Sequence, residues 1–257
     1  MPGLGLSIPD LANARGQSLD PATLALVQRM SGPPGATRAA LIDTLVRAIK
    51  AAGIWSKLHC LYLLAAHDAQ AARLNWAATG YALTAAGTVT FTADRGYAGD
   101  GSSGYLDTGW APNLGLQDSL CLGVWSRSSA QEAAPALGLG TTTGITITPR
   151  SSADTMVTRV NTATGLNATS TDGSGWFTAN RSGASAVQAY RNGAPIASGT
   201  TASSAPSSAT VCLMRYANAL YAARPLGAAA IAASLDATEQ AALYAALLAY
   251  LTAVGAA

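Results

Sequence analysis

The sequence predicts a mainly β chain: a sandwich of two layers of short strands, with helical segments towards its two ends. Three observations predict it. Short segments alternate in polarity with a period of two, as in Val89, Phe91 and Ala93 against Thr90, Thr92 and Asp94. Turns rich in Gly, Ser, Thr and Asn separate these segments. Spacings near the helical period occur only towards the ends, at Leu41, Leu45 and Ile49 and at Leu243, Leu247 and Leu251.

Taken in order, residues 1–19 are punctuated by Gly, Pro and Asn and read as an irregular arm. Asp20-Pro21 reads as an N-cap followed by proline at the first helical position, and Gly32 as the stop of that short helix. Pro33-Pro34-Gly35 breaks the chain. Thr37 is the expected cap of a second helix, which Gly53 ends. Residues 1–53 thus form an arm and two short helices, an attachment segment whose apolar face must dock elsewhere, because two short helices cannot enclose a core. The β body and its last helix occupy 54–257.

Within the body, Trp55–Leu64 reads as a buried strand, and Trp76 as an anchor after it. Val89–Asp94 and Tyr105–Thr108 read as two strands joined by the polar loop Gly99–Gly104. Ser119–Ser126 places Leu120, Leu122 and Val124 on one face, with Cys121, Gly123 and Trp125 on the other. Further strands are expected at Ile145–Ile147, Met156–Val160, Gly175–Thr178, Thr210–Arg215 and Tyr221–Ile231. Asn192-Gly193 marks a hairpin between Val187–Tyr190 and Ala194–Ala197, because both residues tolerate positive φ. Pro195 makes its second strand an edge or a strand start. Ser198–Ser208 reads as loop. Asp236 with Glu239 forms a capping-box pattern for a final helix over 236–254, which Gly255 stops.

Composition excludes several function classes. Of 257 residues only 11% are charged and the formal net charge is +2, so no basic field exists to attract nucleic acid. No stretch approaches the about 20 apolar residues of a membrane span. The N-terminus lacks a charged start followed by an apolar run, so synthesis in a cytoplasm without Sec export is expected. Cys60, Cys121 and Cys212 are isolated and odd in number, as expected of buried small hydrophobes. Gly99, Gly101 and Gly104 spell G-x-G-x-x-G. A dinucleotide site needs that turn to open a helix, however, and Tyr105-Leu-Asp-Thr favours a strand. His59 and His67 are the two histidines and no carboxylate pattern joins them, so a core histidine is the better reading than a metal ligand. Asn167-Ala-Thr169 and Asn180-Arg-Ser182 match the glycosylation pattern, which means nothing without a secretory route.

The phrases FTADRGYAGDGSSGYLDTGW, AYRNGAPIASG and LMRYAN…LYAARPLGAAAIAASLDATEQAALYAALLAYLTAVG together resemble a laminin-G-like, concanavalin A-like jelly roll. With LIDTLVRAIKAAGIWSKLHCLYLLAAHDAQAARLNW added, the chain from about Asp20 onward is similar to surface proteins of tailed bacteriophages, prophages and gene transfer agents. The resemblance implies a virion spike, fibre or tail component, assembled in the bacterial host cytoplasm, that meets the cell surface, often through glycan. Its implied partners are other virion structural proteins and host surface glycan. The apolar faces at Leu41–Ile49 and Leu243–Leu251 suit either subunit contacts or docking to a larger particle, and a homo-oligomer would gain avidity from weak sites. A decoration or assembly subunit without any ligand is the alternative.

Jelly-roll sandwiches include glycoside hydrolases, which need paired carboxylates. This chain has two glutamates, Glu132 and Glu239, and no E-x-D-x-x-E triplet. No G-x-S-x-G elbow is present either, and both histidines precede every plausible nucleophile loop without an acid partner. A non-enzyme is expected, with polysaccharide hydrolase as the outlier. Sugar recognition stacks an apolar ring face on an aromatic side chain while a few polar groups fix the hydroxyls. Arg95, Tyr97, Asp100, Tyr105, Asp107, Trp110 and Asn113, around the Gly99–Gly104 loop, form one candidate inventory. Trp176, on a second glycine-rich loop, is another candidate. The competing reading makes Tyr105 and Trp110 core and Asp107-Thr108-Gly109 a turn. Some laminin-G-like domains bind calcium through aspartates and carbonyls, a role open to Asp100 and Asp107, although calcium needs six to eight oxygens. No other cofactor is expected.

Overall fold

The computed structural model describes residues 18–142 and 144–257. The expected N-terminal arm lies, up to residue 17, outside the described residues. Helices α1 (Pro21–Val27) and α2 (Ala36–Ala51) come first, followed by strands β1 (Leu58–Tyr62), β2 (Thr84–Ala86), β3 (Val89–Thr92), β4 (Gly96–Gly99) and β5 (Tyr105–Asp107). Next come β6 (Leu120–Ser126), β7 (Leu137–Leu139), β8 (Ile145–Thr148), β9 (Thr155–Val160), β10 (Leu166–Thr169), β11 (Gly175–Arg181), β12 (Ala186–Arg191) and β13 (Ala194–Thr200). Strands β14 (Val211–Leu213), β15 (Arg215–Tyr216), β16 (Leu220–Tyr221) and β17 (Leu226–Ala232) lead to α3 (Ala237–Ala253).

The strands make a two-sheet sandwich of jelly-roll type. One sheet has eight strands in the order β13-β12-β11-β6-β17-β4-β3, with β1 also pairing β17. The other has seven, β10-β9-β8-β7-β14-β5-β2, and β15-β16 form a separate hairpin. Leu120, Leu122 and Val124 of β6 share a face with Ala179 and Phe177 of β11. That face meets Ile145, Ile147, Met156 and Val160 of the opposite sheet within one buried apolar cluster. Burial of this kind is the main driving force of the fold, at roughly 25 cal/mol per Å² of apolar surface.

β6 is buried along its whole length because its other face is covered too. Trp125 stacks on Tyr244 of α3, with ring centroids 5.9 Å apart. Gln240 of α3 donates to Cys121 Sγ at 3.3 Å and accepts from Thr178 Oγ1 at 2.9 Å. Gly123 lies between these residues for a steric reason: a Cβ there would stand 2.3 Å from the Trp176 ring. The missing side chain lets the edge of the Trp176 indole approach the β6 backbone at Gly123.

The helices form a third layer. The Asp236 and Glu239 capping box opens α3 as expected, and Gly255 follows it with φ +73°. Asp20 caps α1 by accepting from the Ala22 amide, and it also pairs with Lys50 Nζ at 2.5 Å. Arg38 of α2 reaches Asp94 at 2.6 Å and the Tyr250 hydroxyl of α3 at 3.4 Å. Trp76 is buried edge-on against Tyr250. Ile42, Val46 and Ile49 of α2 belong to the same apolar cluster as the sandwich.

Several elements differ from the sequence expectation. α1 stops at Val27, before Gly32. α2 starts directly after Gly35, whose extended backbone takes the cap position with no side-chain cap, so Thr37 lies inside the first turn. Trp55–Lys57 is a 3-10 turn, and the strand begins at Leu58. Val89–Thr92 does not run on to Tyr105. It folds back at Asp94 (φ 57°) into β4, and the Gly99–Gly104 loop then crosses from the eight-stranded to the seven-stranded sheet. β13 runs to Thr200, so the start of the expected Ser198–Ser208 loop is strand. The Asn192-Gly193 turn has φ 51° and 77°, as its type requires, and Pro195 lies on the edge strand β13.

Two outcomes test this packing. Gly123→Ala should cost about 1–3 kcal/mol in a denaturant titration, because the Trp176 ring has nowhere to move. Gly80→Ala, where a Cβ meets nothing within 4 Å, should be close to neutral. Burial pushes the Cys60 thiol up to about 11 and the Cys121 and Cys212 thiols up to about 12. A raised thiol pKa means that the thiolate is absent near pH 8, so a thiol reagent should leave the native protein unlabelled and react with all three cysteines only after denaturation.

Candidate functional site

The structure does not gather the eight residues picked out by sequence into one place. Trp110 is 1% exposed, and its ring stacks on His59 at 5.2 Å. Trp176 is also 1% exposed, and Tyr97 is buried with its hydroxyl donating to the Ala69 carbonyl at 3.0 Å. A ring that stacks on a sugar needs an open face, and these three have none in the folded chain. They are core residues, which corrects their selection as ligand contacts. Arg95 is exposed, and its guanidinium donates to the Asp94 and Gly255 carbonyls, tying down the turn after α3. Asn113 is exposed on a 3-10 turn, Pro112–Leu114, and its amide donates to Ser207 O at 3.1 Å.

Asp100 organises its own loop. One carboxylate oxygen accepts from the amides of Ser102, Ser103 and Gly104, and the other accepts from both serine hydroxyls. The Ser103 amide, and after it the Ser102 amide, hold the carboxyl well below the usual carboxylate range. Asp107 accepts from the Gly109 amide at 2.9 Å and from Thr210 Oγ1 at 3.0 Å. No group of three His, Cys, Asp or Glu side chains among the described residues is placed to share a metal ion. Both glutamates are engaged as well. Glu132 accepts from the Ala223 amide and faces Arg224, whereas Glu239 caps α3 and pairs with Lys57 at 2.5 Å.

What the structure does assemble lies on the outer face of the seven-stranded sheet. Register places Asp107, Cys212, Gly138, Thr146 and Arg159 side by side across five strands, with Tyr105 on the same side of β5 as Asp107. The β15–β16 hairpin folds down over the middle of this row. Gly138 makes room for it: a Cβ there would come within 2.7 Å of the Tyr216 ring. Positive φ at Met214, Ala217 and Asn218 lifts the chain out of β14 and closes the tight turn.

The hairpin brings a guanidinium and two rings together. Arg215 sits 4.3 Å over the Tyr105 ring and 6.0 Å from that of Tyr221. The two tyrosine centroids are 6.2 Å apart at 48°. Arg159 Nη1 donates to the Tyr216 hydroxyl at 3.0 Å. Tyr105, Arg159, Arg215 and Tyr221 are partly exposed, and Leu220 at the tip is 42% exposed. The arrangement offers partly open aromatic surface beside fixed N–H donors, which is the chemistry a sugar ring and its hydroxyls require. Of the residues picked out by sequence, Tyr105 and Asp107 lie here. Arg159, Arg215, Tyr216 and Tyr221 were missed. The signal was Asn218 between two aromatic-bearing pairs, which is a short hairpin pattern.

Two pockets lie on the helix side of the sandwich. One, of about 220 Å³, contains the Arg191–Asp172 pair; the other, of about 310 Å³, contains the Lys57–Glu239 pair.

No family model and no curated protein matches the chain. Its fold, however, is similar to solved structures. Domain 4 of AbnA, a GH43 extracellular arabinanase from Geobacillus stearothermophilus solved with arabinotriose, has a TM-score of 0.54 at 12% identity, over 73% of this chain and 98% of that one. A structure from work on botulinum neurotoxin type C has a TM-score of 0.52 at 13% identity, over 77% of this chain and 53% of that one. Trypanosoma rangeli sialidase with the inhibitor DANA has a TM-score of 0.51 at 12% identity, over 82% of this chain and 38% of that one. The chain therefore spans about half of the neurotoxin structure and well under half of the sialidase. At these identities the likeness establishes the fold, a lectin-like β-sandwich.

Proposed function

We propose that this chain is a carbohydrate-binding protein that works through the outer face of its seven-stranded sheet, without catalysis, on the surface of a phage or phage-like particle. The observation that carries the binding reading is the Tyr105–Arg215–Tyr221 cluster. Its rings and guanidinium are held in place by the hairpin yet remain partly open to solvent. Saccharide binding is also a use to which related folds are put: the arabinanase domain was solved with arabinotriose, and entry of neurotoxin type C depends on two ganglioside molecules. A non-enzymatic role is supported by the engagement of both glutamates in separate structural pairs.

The particle setting rests on the sequence resemblance. In that setting the chain assembles with other virion proteins in the bacterial cytoplasm, forms a homo-oligomer, and offers repeated weak sites to host surface glycan. The decoration subunit remains the second reading, and it is favoured by Leu114 and Leu116, which are 56% and 70% exposed on one loop.

A glycan array probed with the full chain tests the reading. Tyr221→Ala should weaken the bound saccharides roughly three- to tenfold while leaving the melting temperature close to that of the parent, because the ring is partly exposed. Trp110→Ala should instead unfold or strongly destabilise the protein. Absence of any saccharide binding by the folded chain would favour the decoration subunit, and shortened polysaccharide chains after incubation would reveal a hydrolase.

A further inference from the structure

We propose that the cavity of about 220 Å³ on the helix side of the sandwich is a further binding site, which takes a single neutral sugar residue or small polyol through neighbouring hydroxyls. The site is separate from the outer face of the seven-stranded sheet and does not depend on the reading given to that face.

The first observation is an indole donor. Trp125 lines the cavity and is only 3% exposed. Tyr244 of α3 takes one face of its ring, with centroids 5.9 Å apart and planes at 12°. A buried indole N–H ordinarily finds an acceptor. The Nε1–H of Trp125 donates to nothing among the described residues. The unpartnered indoles of Trp76 and Trp176 are sealed in the core, whereas that of Trp125 is not. Its acceptor has to come from the cavity.

The second observation is an ion pair that lines the same cavity. Arg191 Nη2 meets Asp172 Oδ2 at 2.6 Å, with the side chains 27% and 43% exposed. The Ser174 amide and hydroxyl fix the other carboxylate oxygen. That amide, foremost, holds the Asp172 carboxyl below its ordinary value, so it is an ionised acceptor at neutral pH. Arg191 is steadied by the Phe177 ring, 5.5 Å away, and by Ser174 O. Its Nη1 has no partner among the described residues and is not sealed. Asn192 adds a side-chain amide to the rim, positioned because its Oδ1 accepts from the Trp176 amide at 2.9 Å.

These groups match hydroxyls. Each hydroxyl both donates and accepts, so two adjacent ones can donate to Asp172 and accept from Arg191 together. The charges of the pair cancel, which favours a neutral ligand over an ion. Arg127 also lines the cavity, but its Nε and Nη1 are spent on the Ala256 and Arg95 carbonyls. Leu248 of α3 is partly exposed and offers apolar surface to ring carbons. The volume lies below the roughly 300–1,000 Å³ of sites for larger ligands, which limits the occupant to about one sugar ring.

The test is a magnetic-resonance titration of the isotope-labelled full chain, followed on its indole N–H signals. The probes are the methyl glycosides of glucose, galactose, mannose and fucose, and myo-inositol. The chain has five tryptophans, and Trp125→Phe identifies the Trp125 signal by its loss. At least one probe should move that signal saturably, with a dissociation constant on the order of 1–10 mM, and leave those of Trp76 and Trp176 in place. Asp172→Asn should weaken that probe about three- to tenfold. Trp125→Phe, which keeps a ring against Tyr244 and loses the N–H donor, should weaken it by a similar factor, read at the Asn192 side-chain amide; this variant decides the matter if Asp172→Asn folds poorly. A Trp125 signal that no probe moves at about 100 mM, or binding unchanged in both variants, would overturn the site. Saccharide held on the outer face of the seven-stranded sheet leaves the Trp125 signal in place, so either result is distinguishable from success or failure of that reading.

Discussion

Two buried guanidinium groups impose the constraint on which the loops of this sandwich depend. A charge taken out of water must find hydrogen-bond acceptors, or the fold loses several kcal/mol. Arg181, on the inner face of the eight-stranded sheet, donates to Val160 O of the opposite sheet at 2.8 Å and to the Gly183, Ala184 and Thr201 carbonyls. It bridges the two layers at one edge. Arg224 donates to the Ser128 and Ala130 carbonyls at 2.8 Å and to Gly173 O at 3.3 Å, with Glu132 close by. Three loops must converge on it. Because Arg224 lies between β16 and β17, the same convergence anchors the far end of the hairpin that carries Tyr221.

The helix layer decides which surface is left for function. α3 lies on the outer side of the eight-stranded sheet, and α2 packs against α3, so Trp125, Trp176 and Cys121 are all covered. An aromatic residue on that side fills core space and has no face to offer a ligand. Among the described residues, the outer side of the seven-stranded sheet bears no helix. It keeps half-buried and exposed polar positions along β9 and β10, and the β15–β16 hairpin settles there because Gly138 leaves the space. Rigid packing on one side thereby permits an open, preorganised polar and aromatic surface on the other.

Glycine has the same physical role at both sheets. Gly123 admits the Trp176 ring and Gly138 admits the Tyr216 ring, each by lacking the one carbon that would collide. The first contact is internal and stabilises the body. The second places a hairpin, and through it Arg215 beside Tyr105.

Much of the architecture was legible in the residues themselves. Alternation located β3, β6, β9 and β11, Asn192-Gly193 located its hairpin, and Asp236 with Glu239 located the start of α3, because each is a local preference satisfied within a few residues. The short strands β2, β7 and β10 were not legible, since three or four residues carry no period and are held by their neighbours in the sheet. Nor could local pattern tell a core tryptophan from a binding one: Trp110 and Trp176 are buried by residues distant in sequence. Tyr105 meets Arg215 and Tyr221 across more than a hundred residues, and Arg159 meets Tyr216 across 57. Sequence by itself determined the mainly β character, the Asn192-Gly193 turn and the caps at Asp20 and Asp236, which follow from short-range chemistry. Only the tertiary structure decided which side chains share the open face, because sheet order and the helix cover are set by long-range packing.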